Sequence, residues 1–148
     1  MQKIFLGSDH GGFELRNTLK QYLQQTRKDI EIEDMGVPEE ISVDYPDYAL
    51  KVVKKVLKAE DHLGILVCGT GIGMSMMANR FKKIRAALVH NEFTAQMAKQ
   101  HNNANILCLG ARTTEAELAK KLVDIWLDSE FEAGRHTRRI AKLDDFLG

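Results

Sequence analysis

The sequence predicts an α/β domain over residues 1–148, a three-layer α/β/α sandwich around a five-stranded parallel sheet. Three observations predict it. Short apolar runs alternate with amphipathic helical stretches along the chain, and parallel strands joined by crossover helices are what such alternation builds. The runs Leu63–Cys68 and Asn105–Leu109 are nearly continuous in apolar character, as expected for strands buried on both faces. Polar residues collect where the strands end: Asp9-His10, Cys68 to Gly73, His90-Asn91 and Gly110-Ala111-Arg112. Ligands of open α/β sheets bind at the carboxyl ends of strands, so these groups are expected to converge in space.

The elements follow in order. Ile4–Gly7 reads as a strand that ends in Ser8-Asp9-His10-Gly11-Gly12, and Phe13, Leu15, Leu19, Tyr22 and Leu23 mark one face of the helix after it. Ile30-Glu31-Ile32 alternates and suits an edge strand; Met35 to Asp44 is loop, punctuated by Gly36-Val37-Pro38. Pro46 fits the first turn of a helix that carries Tyr48, Ala49, Val52, Val53, Val56 and Leu57. The strand Leu63–Cys68 and a helix over Ile72–Phe81 come next. Arg85–Val89 is the fourth strand, followed by a helix from Glu92 to His101 and the fifth strand, Asn105–Leu109. A long helix over Thr113–Leu127 is expected to take its N-cap from Thr113 or Thr114, and a last helix starts near Gly134–His136 and ends by Leu147. The chain contains no internal repeat, low-complexity tract or linker.

The composition narrows the function. Lys and Arg total 21 and Asp and Glu total 21, so the net charge is zero and nothing points to nucleic acid as a partner. The two cysteines, Cys68 and Cys108, both sit in strand-like runs, which argues against a disulfide framework and for a reducing, cytoplasmic setting. The apolar stretch at the start of the chain is too short for a signal peptide or a membrane span, so no membrane partner is expected.

The most informative stretch is Gly64-Ile65-Leu66-Val67-Cys68-Gly69-Thr70-Gly71-Ile72-Gly73. A buried strand there delivers a thiol to a glycine-rich loop that opens a helix. Such a loop exposes backbone N–H groups and favours negative charge, whether a phosphate, a transient oxyanion or both. It is not a dinucleotide fingerprint: Met74 stands where the third glycine of G-x-G-x-x-G belongs, and no Gly-Lys-Ser/Thr follows for a P-loop. Cys68 ends its strand just ahead of the helix, where the dipole favours thiolate, whereas Cys108 reads as a structural thiol. Asp9 can cap the first helix or serve a ligand; His101 and Asn102 can close a helix or act in a site. Arg135, His136, Arg138 and Arg139 concentrate positive charge at a helix start, against the macrodipole, which suggests that an anion is received there. The five histidines show no metal-ligand spacing, so no metal is expected.

Assembled, these motifs resemble the ribose-5-phosphate isomerase B family, which also includes allose-6-phosphate and galactose-6-phosphate isomerases. The resemblance runs nearly end to end, through Gly7-Ser8-Asp9-His10-Gly11-Gly12-Phe13, Asp44-Tyr45-Pro46-Asp47-Tyr48-Ala49 and Gly64 to Gly73. It continues through Asn79-Arg80, Ala95-Gln96, Gln100-His101-Asn102, Gly110-Ala111-Arg112 and Gly134-Arg135-His136 with Arg139. Gly11, His90-Asn91 and Asn103 depart from the family pattern.

The resemblance implies a Rossmann-like fold and a cofactor-free, metal-free aldose–ketose isomerase acting on a small phosphorylated sugar through an enediolate. In that reading Cys68 moves the proton between C2 and C1, Thr70 shuttles a proton between O1 and O2, and His101 opens the furanose ring. Backbone around Gly69, Gly71, Ile72 and Gly73 stabilises the enediolate. Asp9 and Asn102 bind the sugar; His10, Arg112, Arg135 and Arg139 hold the phosphate; Tyr45 and His136 join the pocket. Some relatives replace the cysteine by serine and use a glutamate in the following loop; here Met74 and Ser75 offer no carboxylate. The family is similar in forming homodimers or homotetramers whose sites are shared, with His101, Asn102 and Arg112 arriving from the partner. The expected reaction is ribose 5-phosphate to ribulose 5-phosphate. The alternatives are a six-carbon sugar phosphate as substrate, or a non-catalytic sugar-phosphate-binding subunit.

Overall fold

A computed structural model describes residues 2–146. The chain forms β1 (Lys3–Ser8), a 3₁₀ turn (His10–Gly12), α1 (Phe13–Thr26), β2 (Glu31–Asp34), α2 (Tyr45–Val56) and β3 (His62–Cys68). It continues through α3 (Ile72–Ala78), β4 (Ala86–Leu88), α4 (Glu92–Gln100), β5 (Ile106–Gly110), α5 (Ala116–Asp128) and α6 (Arg135–Asp145). The sheet order is β2-β1-β3-β5-β4 and every pairing is parallel. The alternating segment Ile30–Ile32 therefore lies in the edge strand its polarity predicted, shifted slightly toward Asp34. The two continuous apolar runs are the central strands β3 and β5.

Each sheet face buries its own core. On one side Leu15, Leu19 and Leu23 of α1 and Leu122, Val123 and Trp126 of α5 pack on Ile4, Leu6, Ile65 and Leu107. Trp126 is wholly buried and donates its indole N–H to the Ala104 carbonyl at 3.1 Å, so its one polar atom is satisfied. On the other side Val52, Val53 and Val56 of α2 and Met74 and Ala78 of α3 cover Phe5, Leu66, Cys68 and Cys108.

Three local features differ from the sequence reading. The helix expected over Ile72–Phe81 stops at Ala78 because the Asn79 side chain pairs with Ala86, accepting from its N–H at 2.8 Å and donating to its carbonyl at 2.9 Å. This amide substitutes for a missing neighbour along the edge strand β4. The helix expected from Thr113 begins at Ala116, and neither threonine caps it. The Thr113 hydroxyl turns back to the Gly110 carbonyl at 3.3 Å, and Thr114 Oγ1 is buried without a partner. The third feature is Arg16, on the apolar face of α1 and only 2% exposed. It donates to Ser8 Oγ at 2.7 Å and its Nε lies 3.1 Å from Asp34 Oδ1, tying α1 to the ends of β1 and β2. The last helix ends at Asp145; Leu147 lies outside the described residues. No helix among the described residues is long and apolar enough to cross a membrane.

Candidate active site

The ladder between β3 and β5 pairs Cys68 with Gly110, and that between β1 and β3 pairs Ser8 with Val67. The three strands thus end level, and the loops after them meet. Ala111 donates its N–H to the Cys68 carbonyl and Arg112 to the Gly69 carbonyl, both at 2.9 Å. Cys68 is buried at the floor of this group, and the Gly71 N–H donates to its Sγ at 3.1 Å, a bond that a thiolate accepts more strongly than a thiol. Gly71 has φ of +80°, and a Cβ there would stand 2.6 Å from Leu88 Cδ1 and 3.0 Å from the Leu109 carbonyl carbon. Only glycine turns the loop here so that this amide faces the sulfur.

The remaining loop residues have separate tasks. Thr70 is exposed, and its hydroxyl accepts the Ile72 N–H at 3.2 Å. Gly73 lies in the first turn of α3, ahead of the first intrahelical bond from Ser75 N–H to Gly71 C=O, so its amide is not drawn into the helix ladder. A Cβ on Gly73 would come within 2.6 Å of the Tyr45 ring, which therefore rests directly on the loop. Asp9 caps the 3₁₀ turn, Oδ1 accepting from Gly12 N–H at 3.1 Å, and His10 Nδ1 accepts the Val43 N–H at 3.2 Å. The carboxyl-end cluster is thus Asp9, His10, Tyr45, Cys68, Gly69, Thr70, Gly71, Ile72, Gly73 and Arg112.

His90 and Asn91 end β4 at the same side of the sheet. Asn91 is used in a capping box with Thr94 and His90 is exposed, so this pair is local architecture. Cys108 is fully buried in β5. Burial first, and the neighbouring Cys68 second, push its thiol far above the usual range, in keeping with an inert structural role.

The other expected residues gather at the opposite end of the sheet. α4 runs back from the carboxyl end, so His101 and Asn102 at its close lie beside the amino ends of the strands. The chain reverses there through Asn103, whose φ is +44°, with Ala104 N–H reaching Ala98 C=O at 2.8 Å and Asn103 N–H reaching Lys99 C=O at 3.1 Å. The bond from Asn103 to Lys99 is that of the αL helix closure, and asparagine tolerates its left-handed position. α6 arrives at the same place. The His136 ring stacks on His101 with centroids 4.3 Å apart and planes at 16°, and the Glu132 carboxylate lies 3.5 Å from His101 Nε2 and 3.7 Å from His136 Nε2. Burial, then His101 and Arg135, hold the His136 imidazolium below the ordinary histidine range, with Glu132 opposing them.

Within one chain the expected site residues divide between the two ends of the sheet. The Arg112 guanidinium, expected to serve a partner's site, lies against its own loop, with Nη1 3.5 Å from a Cβ placed on Gly69. His10 and Arg112 sit at the carboxyl end, Arg135 and Arg139 at the amino end. The histidine spacing also concealed a cluster, since the ligand atoms of His101, Glu132 and His136 all lie within 4.8 Å of one another. As arranged, the cluster is poorly suited to a dication. The near-parallel rings aim their in-plane lone pairs side by side rather than at one point, and Arg135 and Arg139 add positive charge.

A model of the family described as Ribose/Galactose Isomerase matches residues 4–143. The chain belongs to that family. Among its relatives, ribose-5-phosphate isomerase B of Escherichia coli is 41% identical over 140 residues, covering 95% of this chain and 93% of that protein. The crystal structure of a ribose 5-phosphate isomerase from Thermotoga maritima superposes with a TM-score of 0.93 at 52% identity, over 98% of this chain and 99% of that one. Ribose-5-phosphate isomerase B of Mycoplasma genitalium, solved with bound ribulose-5-phosphate, gives a TM-score of 0.92 at 44% identity, over 96% and 93% of the two chains. The isomerase family's fold is therefore the fold of this chain.

Proposed function

We propose that this chain interconverts D-ribose 5-phosphate and D-ribulose 5-phosphate through an enediolate, at sites shared between two copies. The observation that carries the reading is the Cys68 sulfur, held by the Gly71 amide at the floor of a loop of backbone donors, in a chain so similar to ribose-5-phosphate isomerases. His101 opens the furanose. Cys68 as thiolate takes the C2 proton of the open aldose, and the electron pair moves through C1 to O1, giving the enediolate. The Gly73 amide and its neighbours receive that charge, the kind of fixed donor that contributes most to such steps. Thr70 carries the proton from O2 to O1, and Cys68 returns its proton to C1, leaving the ketose. The steps use only side chains and backbone of the protein.

Asp9 holds the cap with one carboxylate oxygen, which leaves the other for a sugar hydroxyl. The separation of the two half-sites supports sharing: a second copy that docks its amino-end cluster against the Cys68 loop brings His101, Asn102, Arg135, His136 and Arg139 to Asp9, His10, Tyr45 and Arg112. Both phosphate-binding pairs then meet. Free thiols at Cys68 and Cys108 fit a cytoplasmic location. The test is conversion of ribose 5-phosphate and of allose 6-phosphate by purified protein, with and without chelator. The reading expects chelator-insensitive turnover with the pentose preferred. No turnover of either sugar would leave a binding subunit, and turnover of the hexose alone would move the substrate assignment.

A further inference from the structure

We infer that Glu132 is a positioning residue for His101, selecting which imidazole nitrogen meets the sugar; this rests on the ring-opening role proposed for His101. The segment that carries Glu132 has no helical or strand pattern, yet it is pinned. Its backbone N–H donates to the Gln100 carbonyl at 2.9 Å, the residue just before His101. Ala133 at φ of +58° and Gly134 at φ of +56° then turn the chain into α6 and lay the His136 ring over His101. The His101 ring is thereby held on one face by a buried imidazole and at Nε2 by a carboxylate.

The contacts of 3.5 and 3.7 Å are charge contacts rather than close hydrogen bonds, but their sign is decisive. A ring lone pair turned toward a carboxylate is repelled, whereas an N–H is attracted. Glu132 therefore keeps the proton of neutral His101 on Nε2 and leaves Nδ1 as the free base. In ring opening, Nδ1 takes the proton from the C1 hydroxyl. The imidazolium so formed faces Glu132, and it passes the proton to the ring oxygen as the C1–O4 bond breaks.

The chemistry of the two sugars supplies a selective test. Ribulose 5-phosphate cannot form a ring, because its C5 hydroxyl carries the phosphate, so exchange of its C1 hydrogen with solvent through the enediolate needs no ring opening. In Glu132→Gln and Glu132→Ala, kcat/KM for ribose 5-phosphate should fall ~10-fold or more, part of the ~10²–10⁴ that a positioned acid–base group contributes. The fixed overall equilibrium requires the same fall for net conversion of ribulose 5-phosphate, but exchange of its C1 hydrogen in deuterium oxide should stay within about twofold of wild type, with an unchanged thermal midpoint. Exchange that falls as far as turnover, or turnover that does not fall, overturns the inference while leaving the isomerase reading intact. A wild type inactive in both directions overturns the isomerase reading itself and the inference with it.

Discussion

Replacing Gly71 by alanine perturbs the loop and its sulfur together. The residue sits at φ of +80°, where an L side chain costs roughly 1–2 kcal/mol. The new Cβ would also stand 2.6 Å from Leu88 Cδ1 and 3.1 Å from the Leu109 carbonyl oxygen. Leu88 is half-buried on an edge strand and can swing aside, but Leu109 lies in β5, hydrogen-bonded on both sides. The backbone of residue 71 must therefore move, at the ~1–3 kcal/mol typical of overpacking. Together these terms give a loss of about 2–5 kcal/mol, which for a domain of this size lowers the melting temperature by about 6–15 °C. The same movement withdraws the amide now 3.1 Å from Cys68 Sγ, so kcat should fall as well. Thermal unfolding followed by circular dichroism and initial-rate assays on the folded variant read the two effects separately. A variant that melts within about 2 °C of wild type with unchanged kcat would refute this account of the loop.

Other predictions address the shared site and its supports. Mixing Cys68→Ala protein with His101→Asn protein, each inactive alone, should restore about a quarter of wild-type activity after subunit exchange, since half the dimers then carry one intact site; no recovery despite exchange contradicts sharing. Asp34→Asn strips the buried Arg16 guanidinium of its carboxylate; because Asp34 keeps some contact with water, the loss should be about 2–3 kcal/mol, below the ~3–5 of a fully buried pair. Urea melts of this variant matching wild type would show that Ser8 suffices for Arg16. The folded state disfavours protonated His136, so the unfolded chain binds the extra proton. Stability is then full above the ordinary imidazole value of 6.5 and declines as the pH falls below it. Melting temperatures of His136→Asn should fall less steeply than those of wild type from about pH 7 to about pH 5, and parallel curves would contradict the burial argument.

Much of the fold was legible in the sequence because the central strands carry two-sided apolar runs that no other element of this length needs. Leu63–Cys68 and the run before Gly110 could be read for that reason, and Ile30–Ile32 could be read as an edge because it alternates. The shortened α3 could not, since its end is decided by Asn79 pairing with Ala86 across the loop. The α5 start was misread because threonine before a helix is a strong local signal, and here the Gly110 carbonyl takes Thr113 instead. Arg16 was invisible as a core residue, because a charge on a helix reads as a solvated position until Asp34 and Ser8 are brought to it.

The candidate site divides along the same line. Motifs at strand ends, such as Asp9-His10 and Cys68 to Gly73, are local, and the parallel sheet gathers them automatically. The partition of the cations was not local. That Arg112 stays with its own loop while Arg135 and Arg139 lie at the other end follows from the direction of α4 and the placement of α6. Glu132 carried no signal at all, because its contact with His101 exists only once the turn at Ala133-Gly134 is formed.

The central claim is that Cys68 moves the proton between C2 and C1. It is tested most directly by the initial rate of ribulose 5-phosphate formation from ribose 5-phosphate in Cys68→Ala, with folding verified by circular dichroism. The account predicts a fall in kcat of about 10²-fold or more, because Met74 and Ser75 supply no substitute base. Wild-type turnover in the variant would contradict it.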